Sequence, residues 1–230
     1  MSPDSPTESS AKTPPVVLFI GFSGKKQVGK DTATQMAVDL LSAAGKKVAV
    51  SAFAAPLKRM CVEIIGLSHE GVYGTDAQKN GLSHVLWDNM PHEIRVKYAI
   101  DHEPNELLQA MIAVPRSGPM TNREVLQVVG SDLFRNLFGQ DVWARAPFRQ
   151  DWQDFDVVIF TDCRFPNEKS VTEEHGGITI RLERHTGLKD NHISETALDN
   201  TIFEHRYENN SQVEDLRTYV RDILTRMNLL

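Results

Sequence analysis

The chain has 230 residues, of which 40% are hydrophobic and 24% are charged, and its formal net charge is −6. This length suits one domain, with or without an insertion, and is sufficient for a full hydrophobic core. Proteins whose main task is to bind duplex DNA are commonly basic. The acidic balance therefore favours a small-molecule substrate and argues against a stable nucleic-acid partner.

Cysteine content and hydropathy indicate the cellular compartment in which the protein is expected. Cys61 and Cys163 are the only cysteines, and two thiols predict reduced residues rather than a disulfide framework. No apolar stretch approaches the roughly 20 residues of a membrane-spanning helix. We therefore expect a soluble, cytoplasmic protein without a membrane partner, and we leave open whether it forms a homodimer.

The first 15 residues, MSPDSPTESSAKTPP, contain no large apolar side chain after Met1. A segment of this composition cannot contribute to a hydrophobic core. We predict a disordered tail over residues 1–15, followed by a single folded domain over residues 16–230.

Deletion of residues 1–14 is expected to leave the thermal midpoint and the activity unchanged, because nothing in this segment can pack. Thermal melting and steady-state kinetics of the truncated and full-length chains test this. A clear fall in either quantity would show that the segment docks on the folded domain.

Strands and helices alternate along the first part of the folded chain. Residues 16–22 form a continuous apolar run, typical of a strand buried on both faces of a parallel sheet. Residues 29–44 place apolar side chains at helical spacing, and Gly45 ends this helix. A second strand over residues 47–53 and a second helix over residues 56–65 follow.

Residues 66–120 interrupt the alternation with scattered Gly, Pro and His, and with polar helices predicted over residues 91–101 and 105–113. Two further buried strands are predicted over residues 155–162 and 177–182. This order predicts an α/β fold of three layers, a central parallel sheet flanked by helices. We interpret residues 66–120 as a helical insertion over the sheet edge.

Two S/T-x-x-E patterns predict helix starts, because the first and last residues of such a capping box bond each other's backbone N–H groups. Thr121-Asn-Arg-Glu124 precedes a helix that continues through residue 138. Ser211-Gln-Val-Glu214 precedes a C-terminal helix whose apolar side chains keep helical spacing as far as Met227.

Residues 21–32, GFSGKKQVGKDT, nearly match the phosphate-binding pattern G-x-x-x-x-G-K-[ST], with Gly24, Gly29 and Lys30 in place. The match lies between a predicted strand and a predicted helix, which is the context that the pattern requires. The glycines let the loop turn its N–H groups inward, and the lysine and the helix N-terminus attract an anion. A Gly-rich turn with a surface lysine is the alternative, and the context favours a phosphate site.

Asp31 stands where the pattern has a magnesium-binding hydroxyl. Thr32 supplies a hydroxyl one residue later, as in loops of the form G-K-G-T. Asp31 lies in the first turn of the predicted helix, where the helix dipole favours an acid, and its carboxylate can hold magnesium through water. We interpret the loop as a working variant.

Residues 157–162, VVIFTD, indicate a buried strand with Asp162 at its carboxyl end. In parallel sheets this end opens onto the crevice where ligands bind. Arg164 follows at i+2, on the same side of an extended chain. An acid and a guanidinium beside a phosphate loop suit metal and phosphate handling, whereas the alternative is an Asp that caps a turn.

Further basic side chains could contact a second phosphate, although each taken alone is more often a solvated charge. They are Lys25, Lys26, Lys58, Arg123, Arg135 and Arg184. Arg123 differs from the others because the capping box places it in the first turn of a helix. Trp143 could stack on a base, but a core position is the better interpretation. The eight histidines show no metal-ligand spacing, so we predict no zinc site.

In combination these motifs resemble bacteriophage deoxynucleoside monophosphate kinases, a branch of the P-loop kinases related to adenylate kinase. The resemblance runs from residue 16 to the C-terminus and is weakest over residues 66–120. It is carried by the following segments in order: GFSGKKQVGKDT, SAFAAPLK, NREVLQVVGSD with DVW after it, FTDCRFPNE, HISE and ENNSQVEDL.

The resemblance implies a P-loop NTPase fold, ATP and magnesium as cofactors, and two groups of site residues. ATP would be bound by Gly24, Gly29, Lys30, Asp31, Thr32, Arg184 in a lid-like segment, and Asn210 or its neighbour Asn209. The acceptor nucleotide would be bound by Lys26, Ala55, Pro56, Lys58, Arg123, Gln127, Gly130, Ser131, Trp143 and Arg164. Lys30, Asp162 and Arg164 would be catalytic, with Asp31 and Asp162 holding the metal through water.

The expected reaction is phosphorylation of a deoxynucleoside 5′-monophosphate by ATP, which supplies precursors for DNA synthesis. The acceptor phosphate is already an anion at neutral pH, so no strong general base is needed. The protein must bring two polyanions into line and stabilise the oxygens of the phosphoryl group in transit. Arginine suits this because its planar fork grips phosphate and stays charged.

Three alternatives remain. Phosphomevalonate kinases of animals also carry an S-G-K-x-x-x-G-K-D loop and a T/S-D-x-R segment, but the L-Q-x-x-G-[ST]-D stretch and Trp143 favour a nucleotide acceptor. Kinases that act on modified bases within DNA share the architecture, and the acidic charge argues against them. A non-catalytic nucleotide-binding regulator is disfavoured by the basic residues around the predicted site.

Overall fold

The computed structural model of the protein describes residues 17–99, 114–185 and 196–230. The predicted tail, the predicted helix over residues 105–113 and the HISE motif at residues 192–195 lie outside the described residues.

The strands of the described residues include four of the predicted ones. They are β1 (Leu18–Ser23), β2 (Val48–Ser51), β3 (Leu82–Leu86), β4 (Pro119–Thr121), β5 (Val157–Cys163), β6 (Ile178–Glu183) and β7 (His205–Glu208). The helices are α1 (Lys30–Ala43), α2 (Ala55–Glu63), α3 (His69–Tyr73), α4 (Asp76–Lys79), α5 (His92–Lys97), α6 (Asn122–Gln127), α7 (Asn136–Phe138), α8 (Val142–Arg145), α9 (Pro166–Glu174) and α10 (Val213–Arg226).

The chain forms two compact units. Of the described residues, the first unit contains 17–51, Asp151–Arg164, 172–185 and 196–230, and the second contains 52–99, 114–150 and Phe165–Val171. The described residues of the predicted insertion over residues 66–120 therefore lie in the second unit, which extends beyond that insertion on both sides. The assignment of one domain to residues 16–230 stays a prediction.

A five-stranded parallel sheet forms the centre of the first unit. Its strand order is β2-β5-β1-β6-β7, with every neighbouring pair parallel. The sheet with its flanking helices confirms the predicted α/β class and is consistent with the three-layer fold of P-loop NTPases. β1 is the central strand, as expected from its continuous apolar run.

The core of the first unit joins this sheet to α1 and α10. Apolar side chains from β1, β5 and β6 pack against the apolar faces of the two helices, and all of them are buried. They include Ile20, Phe22, Leu41, Ile159, Leu182, Leu216 and Ile223. Burial of this surface is the main force that holds the phosphate-loop strand in place.

β5 contains an irregularity next to the predicted acid. Gly21 pairs with Phe160, but Ser23 pairs with Cys163, so β5 has one more residue than β1 over this stretch. The extra residue lies around Thr161 and Asp162. Bulges of this kind bend a strand and redirect side chains, and they are common beside active sites. Sequence spacing alone did not predict it.

Two features near the C-terminus differ from the predictions. The strand β7 was not predicted, because its four residues alternate between half-buried and exposed positions and present no apolar run. The predicted capping box at Ser211 and Glu214 is wrong by one residue. Gln212 is the N-cap of α10, and the backbone N–H of Gln212 donates a hydrogen bond to the Asp215 carboxylate.

The capping box at Thr121 and Glu124 is confirmed at the start of α6 in the second unit. The Thr121 side chain accepts from the Glu124 N–H at 3.1 Å, and Glu124 accepts from the Thr121 N–H at 2.8 Å. Just before α6, β4 pairs antiparallel with β3 in a two-stranded sheet that the sequence analysis missed.

The helix that begins at Asn122 widens in the middle. After α6 it continues as a π-helix over Val128–Arg135 and ends in the short α7. The buried Asp132 carboxylate accepts hydrogen bonds from the Lys97 ammonium and, at 2.8 Å, from the Tyr98 hydroxyl. Wide turns of this kind are rare and often occur at functional sites.

Cys61 and Cys163 are reduced thiols, as predicted, and both are buried. Cys61 packs with Trp87, Met120 and Val128 in the core of the second unit. Burial raises the pKa of the Cys61 thiol to about 11, so this thiol stays protonated and unreactive at neutral pH. Among the described residues, no helix has the length and apolar character needed to cross a membrane.

Candidate nucleotide-binding site

The predicted phosphate loop lies at the carboxyl end of the central strand. β1 ends at Ser23, the loop follows, and α1 begins at Lys30. β1 has β5 on one side and β6 on the other, so the loop lies where the order of strands reverses. Open parallel sheets bind ligands at this point.

The loop requires its two glycines. Gly24 and Gly29 have φ values of 148° and 98°, which L-residues with a side chain rarely adopt. A Cβ at Gly24 would also lie 2.5 Å from the Leu182 carbonyl oxygen on β6. Close packing against β6 and the sharp turn into α1 thus explain the glycine spacing that the sequence shows.

The N-terminus of α1 is open to an anion. Gly29 is its N-cap, and no side chain caps the helix. The first N–H groups of a helix have no partner within the helix, and they carry a partial positive charge. Asp31 and Thr32 are exposed in this first turn. The loop therefore has the shape and polarity of a phosphate site.

Lys30 folds back onto the loop that precedes it. Its Nζ donates to the carbonyl oxygens of Gly24 and Lys25, each at 2.7 Å. These bonds place the ammonium at the loop, where an incoming phosphate can compete with neutral carbonyl oxygens for it.

Asp162 lies beside the loop as predicted. Cys163, the next residue, pairs with Ser23, and Asp162 is partly buried at the bulged end of β5. Arg164 follows directly after β5 and is also partly buried. The first unit therefore presents an acid and a guanidinium at the carboxyl edge of the sheet, next to the phosphate loop.

Among the described residues, the carboxylates beside the loop suit magnesium, which needs few protein ligands. The described residues contain no group of three or more His, Cys, Asp and Glu that could hold a metal. Magnesium usually takes one or two carboxylates and completes its shell with water and substrate phosphates. Asp31 and Asp162 are carboxylates of this kind, on α1 and β5 respectively.

A cavity of about 320 Å³ lies next to the loop in the first unit. Two of the predicted ATP-binding residues, Arg184 and Asn210, line it. The remaining lining residues are Lys25, Val28, Arg181, Leu182, Glu183, His185, Asp199 and Glu208. The structure thus brings both predicted residues to one cavity beside the phosphate loop, where a nucleoside could lie.

Arg181 is a cavity residue that the sequence analysis missed. Its side chain is 5% exposed, and its guanidinium donates to the Ser23 Oγ at 3.1 Å and to the Asp199 carboxylate at 3.3 Å. Asp199 also accepts from the Lys25 ammonium at 2.9 Å. The available signal was an arginine inside the apolar strand GITIRL, since buried charges need partners.

Three of the predicted acceptor residues follow one row along the second unit's long helix, in which Gln127 and Ser131 are exposed and Arg123 is partly buried. Arg123, Gln127 and Ser131 are four residues apart, so their side chains lie on one face. The Arg123 guanidinium donates to Asp76 at 2.7 Å and to Asn80 at 2.8 Å. The acceptor role of these residues stays a prediction.

Other predicted acceptor residues lie on α2, the π-helix and α8 of the second unit. Trp143 is 8% exposed, and its Nε1 donates to the Gly130 carbonyl oxygen at 2.8 Å within the π-helix. The core interpretation of Trp143 is therefore confirmed. Ala55 and Pro56 form the first turn of α2, and the Lys58 ammonium lies 5.2 Å from the centre of the Tyr73 ring.

A family model described as deoxynucleotide monophosphate kinase matches residues 18–220. The chain belongs to this family. A protein of Acanthamoeba polyphaga mimivirus, named "Putative deoxynucleotide monophosphate kinase", is 29% identical over 197 residues, which cover 79% of this chain and 82% of the viral protein.

Membership of the deoxynucleotide monophosphate kinase family confirms the resemblance at the level of the family and identifies the chain as a kinase. The match includes the phosphate loop, Asp162, Arg164 and the cavity residues. A bacteriophage origin stays a prediction.

Proposed function

We propose that this kinase transfers the γ-phosphoryl group of ATP to the 5′-phosphate of a deoxynucleoside monophosphate, forming the diphosphate and ADP. The observation that carries the proposal is the open N-terminus of α1 behind the loop from Gly24 to Gly29, in a chain that belongs to this family. The products supply precursors for DNA synthesis, and the substrates are small molecules.

The loop and the adjacent cavity would bind the two ends of ATP. The N–H groups of the loop and Lys30 bind the phosphates, while Arg184 and Asn210 contact the nucleoside from the cavity. Asp31 and Asp162 would hold magnesium through water, and the ion would supply positive charge that offsets the charge of the phosphates. Lys30, whose ammonium is bonded to the Gly24 and Lys25 carbonyl oxygens, supplies positive charge at the loop.

The acceptor deoxynucleotide would be bound by contacts to its 5′-phosphate and to its base. Lys26, Lys58 and Arg123 supply positive charge for its phosphate, and Arg164 supplies a planar fork for the phosphoryl group in transit. No side chain is required as a general base, because a phosphate monoester is already ionised. The protein's task is orientation and stabilisation of charge.

A panel of deoxynucleoside monophosphates tests the proposal directly. Each is incubated with ATP and magnesium, and ADP and the diphosphate product are both quantified. At least one deoxynucleotide should yield stoichiometric amounts of the two. ATP consumption only with mevalonate phosphate, or phosphorylation only of modified DNA with a matching gel shift, would replace the proposal by one of the alternative functions.

A further inference from the structure

Asn209 and Asn210 have the same side chain but different environments. Both follow β7, in the connection to α10. Asn210 is exposed and lines the cavity, whereas Asn209 is only 7% exposed. The Asn209 Nδ2 donates to the Val28 carbonyl oxygen at 2.9 Å. Asn210 is thus a candidate for contact with the nucleoside, whereas its neighbour Asn209 is hydrogen-bonded to the phosphate loop.

This hydrogen bond acts on the last peptide of the loop, between Val28 and Gly29. In a planar trans peptide the carbonyl and the N–H point in opposite directions. Holding the Val28 carbonyl towards Asn209 therefore turns the Gly29 N–H away from Asn209. The orientation of this N–H matters because backbone N–H groups are the loop's main phosphate ligands.

The Asn209 side chain also packs against the Val28–Gly29 peptide. A Cβ at Gly29 would lie 2.5 Å from the Asn209 Nδ2, so the amide group occupies the space directly behind this residue. Gly29 has a φ of 98°. The Asn209 side chain therefore contacts the residue where the loop turns into α1.

Asn209 is itself held firmly. Its backbone N–H donates to the Glu183 carbonyl oxygen at 2.7 Å, directly after Glu183 and Glu208 pair across β6 and β7. The asparagine therefore extends the sheet ladder, and its side chain has a fixed origin. A rigid donor can hold a flexible loop in one conformation at little entropic cost.

We propose that Asn209 is a positioning residue that keeps the Val28–Gly29 peptide in the orientation that binds phosphate. It sets the affinity for the nucleotide donor without touching the nucleotide. The inference rests on the proposed function of the loop as the ATP site. It assigns different tasks to two neighbouring asparagines, with Asn210 in the cavity and Asn209 behind the loop.

Titration of ADP with magnesium tests the inference without any acceptor or turnover. Asn209→Ala leaves the Val28 carbonyl without its partner and should weaken ADP binding about tenfold, the scale of one buried hydrogen bond. In kinetics the KM for ATP should rise by a similar factor, while kcat at saturating ATP and the KM for the acceptor stay within about twofold of wild type.

Asn122→Ala is a matched control. Asn122 is also 7% exposed, and its Nδ2 donates to the carbonyl oxygens of Gln78 and Gly81 in the second unit. This variant should lower the thermal midpoint but leave ADP affinity within twofold. It separates the loss of a buried amide in general from the loss of the contact with the phosphate loop.

The outcomes are distinct. If wild type binds no ADP, the proposed ATP site fails. If wild type binds and Asn209→Ala binds equally well, or if donor and acceptor constants worsen together, the positioning role is overturned. Asn209→Asp has the same size and places an oxygen against the Val28 carbonyl, so it should weaken binding at least as much. Failure of both variants to fold would show that Asn209 stabilises the whole unit instead.

Discussion

Replacement of Lys30 by Ala should lower kcat by at least ~100-fold, the scale of one lost electrostatic contact to a developing transition-state charge. The ammonium lies at the phosphate loop, bonded to the Gly24 and Lys25 carbonyl oxygens at 2.7 Å. In the proposed mechanism this charge lies close to the phosphate that the loop would bind. Steady-state kinetics at saturating ATP and acceptor measures the effect.

Lys47→Ala is the control for this variant. Lys47 precedes β2 and so lies at the amino edge of the parallel sheet, opposite the loop. The same charge is removed there, and kcat should stay within a few-fold of wild type. A folded Lys30→Ala enzyme with nearly normal turnover would remove the loop from the mechanism.

Replacement of Arg123 by Ala should impair use of the acceptor much more than use of ATP. A charge-assisted hydrogen bond to phosphate is worth about 1.5–3 kcal/mol, which we expect as a higher acceptor KM and a lower kcat combined. The KM for ATP should change far less. The thermal midpoint should change little, because the Thr121–Glu124 capping box remains.

The contacts of Arg123 provide a sharp control. Its guanidinium pairs with Asp76, whose side chain is 83% exposed, and such surface pairs contribute about 0–1 kcal/mol. Asp76→Asn removes the pair and keeps the guanidinium, so the acceptor KM should not rise. Equal weakening of ATP and acceptor by Arg123→Ala, or the same kinetic defect in Asp76→Asn, would show that Arg123 acts through its local contacts rather than on a phosphate.

The phosphate loop could be predicted because its chemistry is local. Gly24, Gly29 and Lys30 lie within seven consecutive residues, and the flanking strand and helix have strong apolar patterns of their own. The capping box at Thr121 was predictable for the same reason, since both of its partners lie within four residues. Short-range geometry depends little on the remainder of the chain.

Residues whose contact partners lie far away in the sequence could not be predicted from short segments. Arg181 contacts Ser23, which lies 158 positions away, and Asn209 contacts Val28, which lies 181 positions away. In the sequence Arg181 is one polar residue in a strand, and Asn209 is one of two asparagines before a helix. Only the pairing of β6 with β1 and β7 brings them to the loop.

Short segments were sufficient to predict the α/β class, the glycine positions of the loop before α1 and the acid at the end of β5, because apolar periodicity and glycine spacing are properties of such segments. The bulge beside Asp162, the π-helix around Gly130 and the different environments of Asn209 and Asn210 became visible only in the tertiary structure. Each of these depends on which backbone and side-chain groups meet across the sheet or between helices, and that is settled by packing and hydrogen bonding over long sequence distances.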